Sequence, residues 1–176
     1  MNKKTIFLDR DGILNAVSVK DSKPQSPRKF EDFKLLPQVK QSLKFFKRLG
    51  FLNIVITNQP DIARGFLDKK ELEKMHQLIK ERLAIDDIFI CSHDDSDRCT
   101  CRKPQPGLIL EAVRKWGIDL CSSYLIGDTK RDMEAGKNAG CRTVLLNRPY
   151  NQNYQNCDFK VNSLEEFAEL LRRREV

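Results

Sequence analysis

The stretch TIFLDRDG, residues 5–12, joins a short apolar run directly to two aspartates with one residue between them. The run 5–8 has the side chains of a buried strand. Two carboxylates at the end of such a strand repel each other and resist removal from water. We therefore interpret Asp9 and Asp11 as sharing a bound cation, with Gly12 allowing the backbone to turn sharply beside it.

Apolar runs of this kind alternate along the chain with segments of helical periodicity. Strands are predicted over residues 5–8, 53–57, 88–91, 123–126 and 142–146, and helices over 37–49, 68–83, 106–116, 130–139 and 163–173. This alternation is typical of an α/β fold, a three-layer sandwich in which helices cover a central parallel sheet. The length of 176 residues suits one domain, residues 1–176.

The charge and hydropathy patterns indicate whether the chain binds nucleic acid or a membrane. The chain has 32 Lys and Arg against 25 Asp and Glu, a net charge of +7, and its basic residues are spread from residue 3 to residue 174. Charge spread in this way is typical of solvated surface, so nucleic acid is not the expected partner. There is no signal-peptide pattern and no run of about 20 apolar residues. We expect a cytoplasmic protein without a membrane partner, and a monomer by default.

Polar residues follow the predicted strands in a pattern that indicates a shared site. Ligands of parallel α/β sheets bind at the carboxyl ends of the strands. The residues to inspect there are Asp9 and Asp11, Thr57, Asn58 and Gln59, Arg102 and Lys103, and Asp128 with Asp132. Carboxylate oxygens are the ligands that Mg²⁺ prefers. The sequence predicts Mg²⁺ bound by Asp9, Asp11 and Asp128, with Asp132 orienting metal-bound water from outside.

The same residues suit phosphoryl transfer. A carboxylate beside Mg²⁺ can attack phosphorus and form an aspartyl phosphate, and Asp9 is the candidate nucleophile. Asp11 is the candidate general acid and base for the leaving alcohol and the hydrolytic water. The Thr57 hydroxyl, a backbone N–H near Asn58 and the Lys103 ammonium are candidates to stabilise the phosphoryl oxygens.

A second group of residues has the spacing of a metal site. Cys91, His93, Cys99 and Cys101 form the pattern Cys-x-His-x5-Cys-x-Cys, which offers four zinc-type ligands in eleven residues. We expect a structural Zn²⁺ that holds the loop at about residues 91–101. By contrast, His76 is expected on the exposed side of a helix. No role is assigned to Cys121, Cys141 and Cys157.

These motifs, in this order, resemble those of the haloacid dehalogenase (HAD) superfamily of phosphohydrolases. The motifs are Asp9-Arg10-Asp11-Gly12, Thr57-Asn58, Lys103, and Gly127-Asp128 with Asp132. The resemblance implies a Rossmann-like sheet, a Mg²⁺ cofactor and an aspartyl-phosphate intermediate. Because no long insertion follows the first or second motif, a large cap domain is not expected.

The cysteine cluster and two further segments are similar to a zinc-containing, capless branch of that superfamily. The segments are TNQPDIARG, residues 57–65, and RKPQPG, residues 102–107. The resemblance implies a small phosphorylated sugar as substrate, contacted by Asn15, Asn58, Gln59 and Arg102. The first hypothesis is a phosphatase that removes the 7-phosphate of heptose 1,7-bisphosphate, in the synthesis of nucleotide-activated heptose for lipopolysaccharide or a related glycan. One departure is Thr129, where the branch often has Lys.

Four alternatives remain open at this point. Two are enzymes of the same mechanism, a histidinol-phosphate phosphatase and a 3′-phosphatase acting on nucleic-acid ends. A third is a receiver-like signalling domain, which also sets acids, Thr and Lys on a parallel sheet but takes its phosphoryl group at the end of the third strand, where this chain has Cys91 and His93. The fourth is a zinc-stabilised binding module without catalysis.

Overall fold

The computed structural model describes residues 2–21 and 23–176. Six strands form one sheet in the order β5-β4-β1-β6-β7-β8, and every neighbouring pair is parallel. The other two strands form a separate antiparallel hairpin. The strands are β1 (Thr5–Leu8), β2 (Ser18–Lys20), β3 (Lys23–Gln25), β4 (Leu52–Asn58), β5 (Asp87–Cys91), β6 (Tyr124–Gly127), β7 (Arg142–Leu146) and β8 (Phe159–Val161).

Each of the five α-helices lies close to its predicted position; four lie between strands of the sheet and α5 follows the last strand. They are α1 (Val39–Arg48), α2 (Lys69–Arg82), α3 (Gly107–Trp116), α4 (Lys130–Ala139) and α5 (Leu164–Arg173). Polar side chains fix several starts. Asp68 accepts a hydrogen bond from the Lys70 N–H at the start of α2, and Ser163 accepts one from the Glu166 N–H at the start of α5. These caps satisfy backbone donors that would otherwise lack a partner.

Both faces of the sheet are covered, which confirms the three-layer α/β sandwich. Alternate residues of β1 serve the two sides: Ile6 and Leu8 belong to one apolar cluster and Phe7 to the other, and all three are fully buried. Phe46 of α1 and Phe167 of α5 meet edge to face on the first side, with ring centroids 6.0 Å apart. Burial of each such side chain contributes roughly 1.5–3 kcal/mol.

The topology places the functional cleft at β1. From β1 the chain fills the sheet towards β4 and β5, and it then crosses to β6, β7 and β8 on the other side. Such a reversal of strand order opens a crevice at the carboxyl ends of the two strands that flank it. Among the described residues between β1 and α1, the only regular structure is the β2–β3 hairpin and a short 3₁₀ turn at Phe30–Asp32, so no large cap covers the crevice.

Three strands of the fold were not predicted. The hairpin strands β2 and β3 and the edge strand β8 have three residues each, too few to show a period-two pattern.

No helix in residues 2–21 and 23–176 is long and apolar enough to cross a membrane.

Candidate active site

Lys103 joins two buried aspartates at the carboxyl end of the sheet. Its Nζ lies 2.7 Å from Oδ1 of Asp9, 2.5 Å from Oδ1 of Asp132 and 2.9 Å from the carbonyl oxygen of Ile56. The Lys103 side chain is only 4% exposed. Burial alone would lower the pKa of Lys103, but the two carboxylates outweigh burial and raise it, so the ammonium stays charged.

Three carboxylates gather around this ammonium. Oxygens of Asp9, Asp128 and Asp132 all lie within 4.8 Å of one another, and all three residues are buried. Burial raises the pKa of Asp9 to about 7 and that of Asp128 to about 8, and the neighbouring carboxylates act in the same direction. One ammonium does not balance three buried carboxylates, so the group has the charge and the oxygen donors that fit a divalent cation such as Mg²⁺.

Asp132 has less capacity to bind a metal than the other two. Its Oδ1 accepts from Lys103, and its Oδ2 accepts from both the N–H and the hydroxyl of Thr129 in the capping box that starts α4. Asp128 has one side-chain partner, the Tyr150 hydroxyl, which donates to Oδ2. This arrangement suits Asp9 and Asp128 as direct ligands and Asp132 as the residue that orients water.

Gly12 is required at this site by space as well as by backbone conformation. It has φ of +81°, and a Cβ built on it would lie 2.0 Å from Oδ2 of Asp128. No side chain fits there without moving the Asp128 carboxylate. The position of the Asp128 carboxylate therefore depends on the glycine that follows Asp11.

The Asp11 carboxylate lies outside the acidic group, which differs from its expected role as a metal ligand. It accepts hydrogen bonds from Arg10, Asn15, Ser26 and Gln59 at 2.8–2.9 Å. Burial would raise the pKa of Asp11, but the Arg10 guanidinium and the other donors hold it below its usual value. The strand β1 ends at Leu8, and in the turn that follows the Leu14 N–H donates to the Arg10 carbonyl. In this turn the Asp11 carboxylate is taken up by the neighbouring Arg10 guanidinium and the other side-chain donors.

The four predicted zinc ligands converge. Ligand atoms of Cys91, His93, Cys99 and Cys101 lie within 4.8 Å of one another, and the Sγ–Sγ distances are 3.3 to 3.7 Å. A tetrahedral site with Zn–S bonds of about 2.3 Å separates its sulfurs by about 3.8 Å. None of the three cysteines is in a disulfide. The donor set therefore fits Zn²⁺.

Known proteins match this chain over most of its length. A family model described as HAD-hydrolase-like matches residues 100–152. The D-glycero-beta-D-manno-heptose-1,7-bisphosphate 7-phosphatase of Helicobacter pylori is 40% identical over 149 residues, covering 81% of this chain and 83% of that protein. The D-glycero-alpha-D-manno-heptose-1,7-bisphosphate 7-phosphatase of Photorhabdus laumondii is 36% identical over 168 residues, covering 87% and 88%. The chain belongs to the HAD family of phosphatases.

A solved structure of a relative gives the same result for the fold. The D,D-heptose 1,7-bisphosphate phosphatase of B. bronchiseptica, complexed with magnesium and phosphate, superimposes with a TM-score of 0.83 at 29% identity, covering 97% of this chain and 99% of that one. The family membership confirms the HAD fold and the phosphatase class that the sequence motifs predicted. Magnesium in that relative supports Mg²⁺ as the cofactor of this HAD phosphatase.

The side chains expected to contact substrate have internal partners in this HAD phosphatase. Gln59 donates to Oγ1 of Thr57 and to Oδ2 of Asp11, both at 2.9 Å. Asn58 and the backbone of Lys103 exchange two hydrogen bonds of 3.1 Å. Asn15 is fully buried and donates to Asp11. These contacts connect the three amide side chains to Asp11, Thr57 and Lys103.

Arg102 is also engaged within the protein. Its Nε lies 2.8 Å from Oδ1 of Asp95, and its Nη1 lies 3.4 Å from the carbonyl oxygen of His93. The guanidinium thus connects the segment that carries Lys103 to the loop of the cysteine cluster. Its hydrogen bond to Asp95 is the largest of the effects that lower the pKa of that carboxyl to about 2.

A buried pair behind the site, Arg10 and His76, was not predicted from the sequence, and His76 was expected at an exposed position. Arg10 is fully buried, and its Nη1 lies 3.4 Å from Nε2 of His76. His76 is therefore buried, not exposed as predicted, and burial with the Arg10 charge lowers its pKa to about 3. The sequence pattern does indicate burial of His76, because His76 lies on the apolar face of α2 at i, i+3, i+4, i+7 spacing with Leu72, Met75 and Ile79.

Proposed function

We propose that this HAD phosphatase removes the 7-phosphate of D-glycero-D-manno-heptose 1,7-bisphosphate through a phosphoryl group transferred to Asp9. The observation that carries the chemistry is the buried contact of Lys103 with Asp9 and Asp132. The heptose bisphosphate substrate is supported by the names of relatives that are 36–40% identical over more than four fifths of the chain. The product would enter the synthesis of nucleotide-activated heptose.

The first half of the reaction uses Asp9 and Asp11. The Asp9 carboxylate forms a bond to phosphorus as the bond from phosphorus to the C7 oxygen of the sugar breaks. Asp11 delivers a proton to that oxygen, which leaves as the alcohol. Lys103 and the Thr57 hydroxyl stabilise charge on the phosphoryl oxygens, and the Lys103 ammonium also keeps Asp9 ionised at the moment of attack.

The second half reverses the role of Asp11. It takes a proton from a water molecule that attacks the phosphoryl-Asp9, and Asp9 is released with inorganic phosphate. The lowered pKa of Asp11 in the resting protein suits this step, because the ionised carboxylate can accept a proton. The negative charge of an arriving phosphate opposes ionisation of Asp11 and prepares it for the acid step.

We assign Mg²⁺ to Asp9 and Asp128, where it would reduce repulsion between the carboxylate and the phosphoryl group. Asp132 holds Lys103 and faces the same group of oxygens. Asp11 holds no metal through its carboxylate in this assignment, because all of that carboxylate's contacts are to other side chains.

The proposal includes a structural Zn²⁺ on Cys91, His93, Cys99 and Cys101. Its role would be to hold the loop at about residues 91–101 next to Arg102 and Lys103. All six cysteines of the chain are unpaired, which is typical of a reducing compartment and supports a cytoplasmic location. We further propose that residues 1–176 act as one domain and as a monomer.

Phosphate release from a panel of substrates tests this function. The panel contains both anomers of D-glycero-D-manno-heptose 1,7-bisphosphate, histidinol phosphate, fructose 1,6-bisphosphate and a 3′-phosphorylated oligonucleotide, each with Mg²⁺. The expected result is a preference of about a hundredfold or more in kcat/KM for one heptose anomer, which corresponds to roughly 2.7 kcal/mol of transition-state binding. A preference for histidinol phosphate or the oligonucleotide would keep the mechanism and reject the substrate.

A further inference from the structure

Two arginines hold one carboxylate at the edge of the active site. Arg102 lies 2.8 Å from Oδ1 of Asp95 through Nε and 3.4 Å from Oδ2 through Nη2. Arg131 lies 3.1 Å from Oδ1 through Nη1 and 3.4 Å from Oδ2 through Nη2. Each carboxylate oxygen is therefore contacted by both guanidinium groups. Forked guanidinium contacts of this kind bind phosphate as well as carboxylate.

The two arginines are covalent neighbours of the two residues that hold each other at the nucleophile. Arg102 precedes Lys103 and Arg131 precedes Asp132, and Lys103 Nζ lies 2.5 Å from Oδ1 of Asp132. The inner pair is buried and the outer pair lies nearer to solvent: the Arg131 and Asp95 side chains are 47% and 56% exposed. A cavity of about 280 Å³ is lined by Asp95, Arg102 and Lys103 together.

The contact of Arg131 with Asp95 has little value for stability. Ion pairs as exposed as this one contribute little to the free energy of unfolding. In addition, Arg131 lies in the first turn of α4, where the helix dipole favours anions over cations. The presence of Arg131 at this position is therefore better explained by binding of an anion from solution than by its contact with the Asp95 carboxylate.

We propose that Arg131 acts with Arg102 to receive the phosphate group that is not transferred, and that the Asp95 carboxylate is the internal counter-ion which this phosphate displaces. The inference rests on the function proposed above and adds Arg131 as a specificity-determining residue. A bisphosphate gains both guanidinium groups in exchange for the Asp95 contacts. A monophosphate leaves Asp95 in place and gains nothing from Arg131.

Kinetics with matched substrates test the proposal. Arg131→Gln is compared with Arg114→Gln, which removes the same charge from an exposed position on α3. The substrates are heptose 1,7-bisphosphate and heptose 7-phosphate. We expect Arg131→Gln to lower kcat/KM for the bisphosphate by about 10- to 100-fold, mainly through KM, because the hydrogen bonds it loses are to a charged group. The value for the monophosphate should stay within about twofold of wild type, and Arg114→Gln should change neither.

A second variant probes the counter-ion. Asp95→Asn removes the competing charge while keeping the size of the side chain, so we expect a lower KM for the bisphosphate and an unchanged KM for the monophosphate. Equal losses on both substrates in Arg131→Gln, or no loss on either, would overturn the proposal.

The ratio of kcat/KM for the bisphosphate to kcat/KM for the monophosphate is also measured with fructose 1,6-bisphosphate and fructose 6-phosphate. This second pair of substrates separates failure of this proposal from failure of the proposed substrate. If wild type accepts the fructose pair and rejects the heptose pair, the substrate is wrong, and a bisphosphate preference that disappears in Arg131→Gln still supports the role of Arg131. A wild-type enzyme that does not distinguish bisphosphate from monophosphate on either sugar would overturn the inference.

Discussion

The Lys103 ammonium lies 2.7 Å from the Asp9 carboxylate, although 94 positions separate the two residues in the sequence. Asp9 follows β1, and Lys103 lies in the loop that leads to α3. The contact brings a cation to the carboxylate that, as the proposed nucleophile, must be ionised while an anionic phosphate approaches. In the proposed mechanism, attack by Asp9 on phosphorus depends on this contact, and the first predictions address its two members.

Replacing Asp9, the proposed nucleophile, should stop the reaction without unfolding the protein. Asp9→Asn keeps the size of the side chain but cannot form the bond to phosphorus, so kcat should fall by about a thousandfold or more. The thermal midpoint should stay at or above the wild-type value, since the variant removes one of several repelling buried carboxylates. Steady-state kinetics and thermal unfolding measure the two effects. Turnover near the wild-type rate would assign the nucleophile elsewhere.

Removing the cation should cost stability as well as activity. Lys103→Met leaves Asp9 and Asp132 without their shared ammonium, and breaking a buried pair in this way typically costs about 3–5 kcal/mol. Denaturant unfolding with and without the additional change Asp132→Asn separates charge from packing. The double variant should regain part of the lost stability and none of the activity. A Lys103→Met variant as stable as wild type would show that the carboxylates are neutralised by another group.

Binding of Mg²⁺ should release protons near neutral pH. In the metal-free protein, burial holds the pKa of Asp9 near 7 and that of Asp128 near 8, against 3.8 for an ordinary aspartate. The folded state therefore keeps protons that the unfolded chain loses, so the stability these groups contribute is present below about pH 4 and is lost as the pH rises to about 8. Since a bound metal requires both carboxylates ionised, the apparent Mg²⁺ affinity should rise from pH 6 to pH 8.

Calorimetric titration of Mg²⁺ in buffers with different ionisation enthalpies measures this linkage. Proton release at pH 7 that becomes smaller at pH 9 is the expected result. Asp128→Asn should bind Mg²⁺ more weakly and release fewer protons. An Mg²⁺ affinity that does not change between pH 6 and pH 8 would contradict the assignment of these two ligands.

The cysteine cluster should bind one zinc ion per chain. Cys99→Ser removes one ligand, and we expect loss of zinc, a lower thermal midpoint and a lower kcat, because the loop next to Arg102 and Lys103 is no longer held. Cys121→Ser is the matched control, because Cys121 is exposed and lies outside the cluster. Elemental analysis of the purified protein gives the stoichiometry. The assignment would be contradicted if the purified protein contained no zinc and its thermal midpoint did not change when a chelator was added.

The sequence predicted the long, periodic parts of the fold and the order of the site motifs. The sheet explains part of this result, because a parallel sheet brings the carboxyl ends of its strands together, so residues that directly follow β1 and β6, such as Asp9 and Asp128, converge. Lys103 lies in the loop between β5 and α3, so its place beside Asp9 depends on that loop as well. The expectation that Asp11 shares a cation with Asp9 did not foresee that the Asp11 carboxylate is hydrogen-bonded by Arg10, Asn15, Ser26 and Gln59. The partners of Arg10 and Tyr150 depend on contacts between distant segments, which a local pattern does not contain.

The most direct test of the central claim is phosphorus NMR of each heptose 1,7-bisphosphate anomer incubated with the enzyme and Mg²⁺. We expect the C7 phosphate signal to be replaced by that of inorganic phosphate while the signal of the phosphate on C1 remains, and Asp9→Asn to leave both signals unchanged. Release of the C1 phosphate, or persistence of both signals with the wild-type enzyme, would contradict this claim.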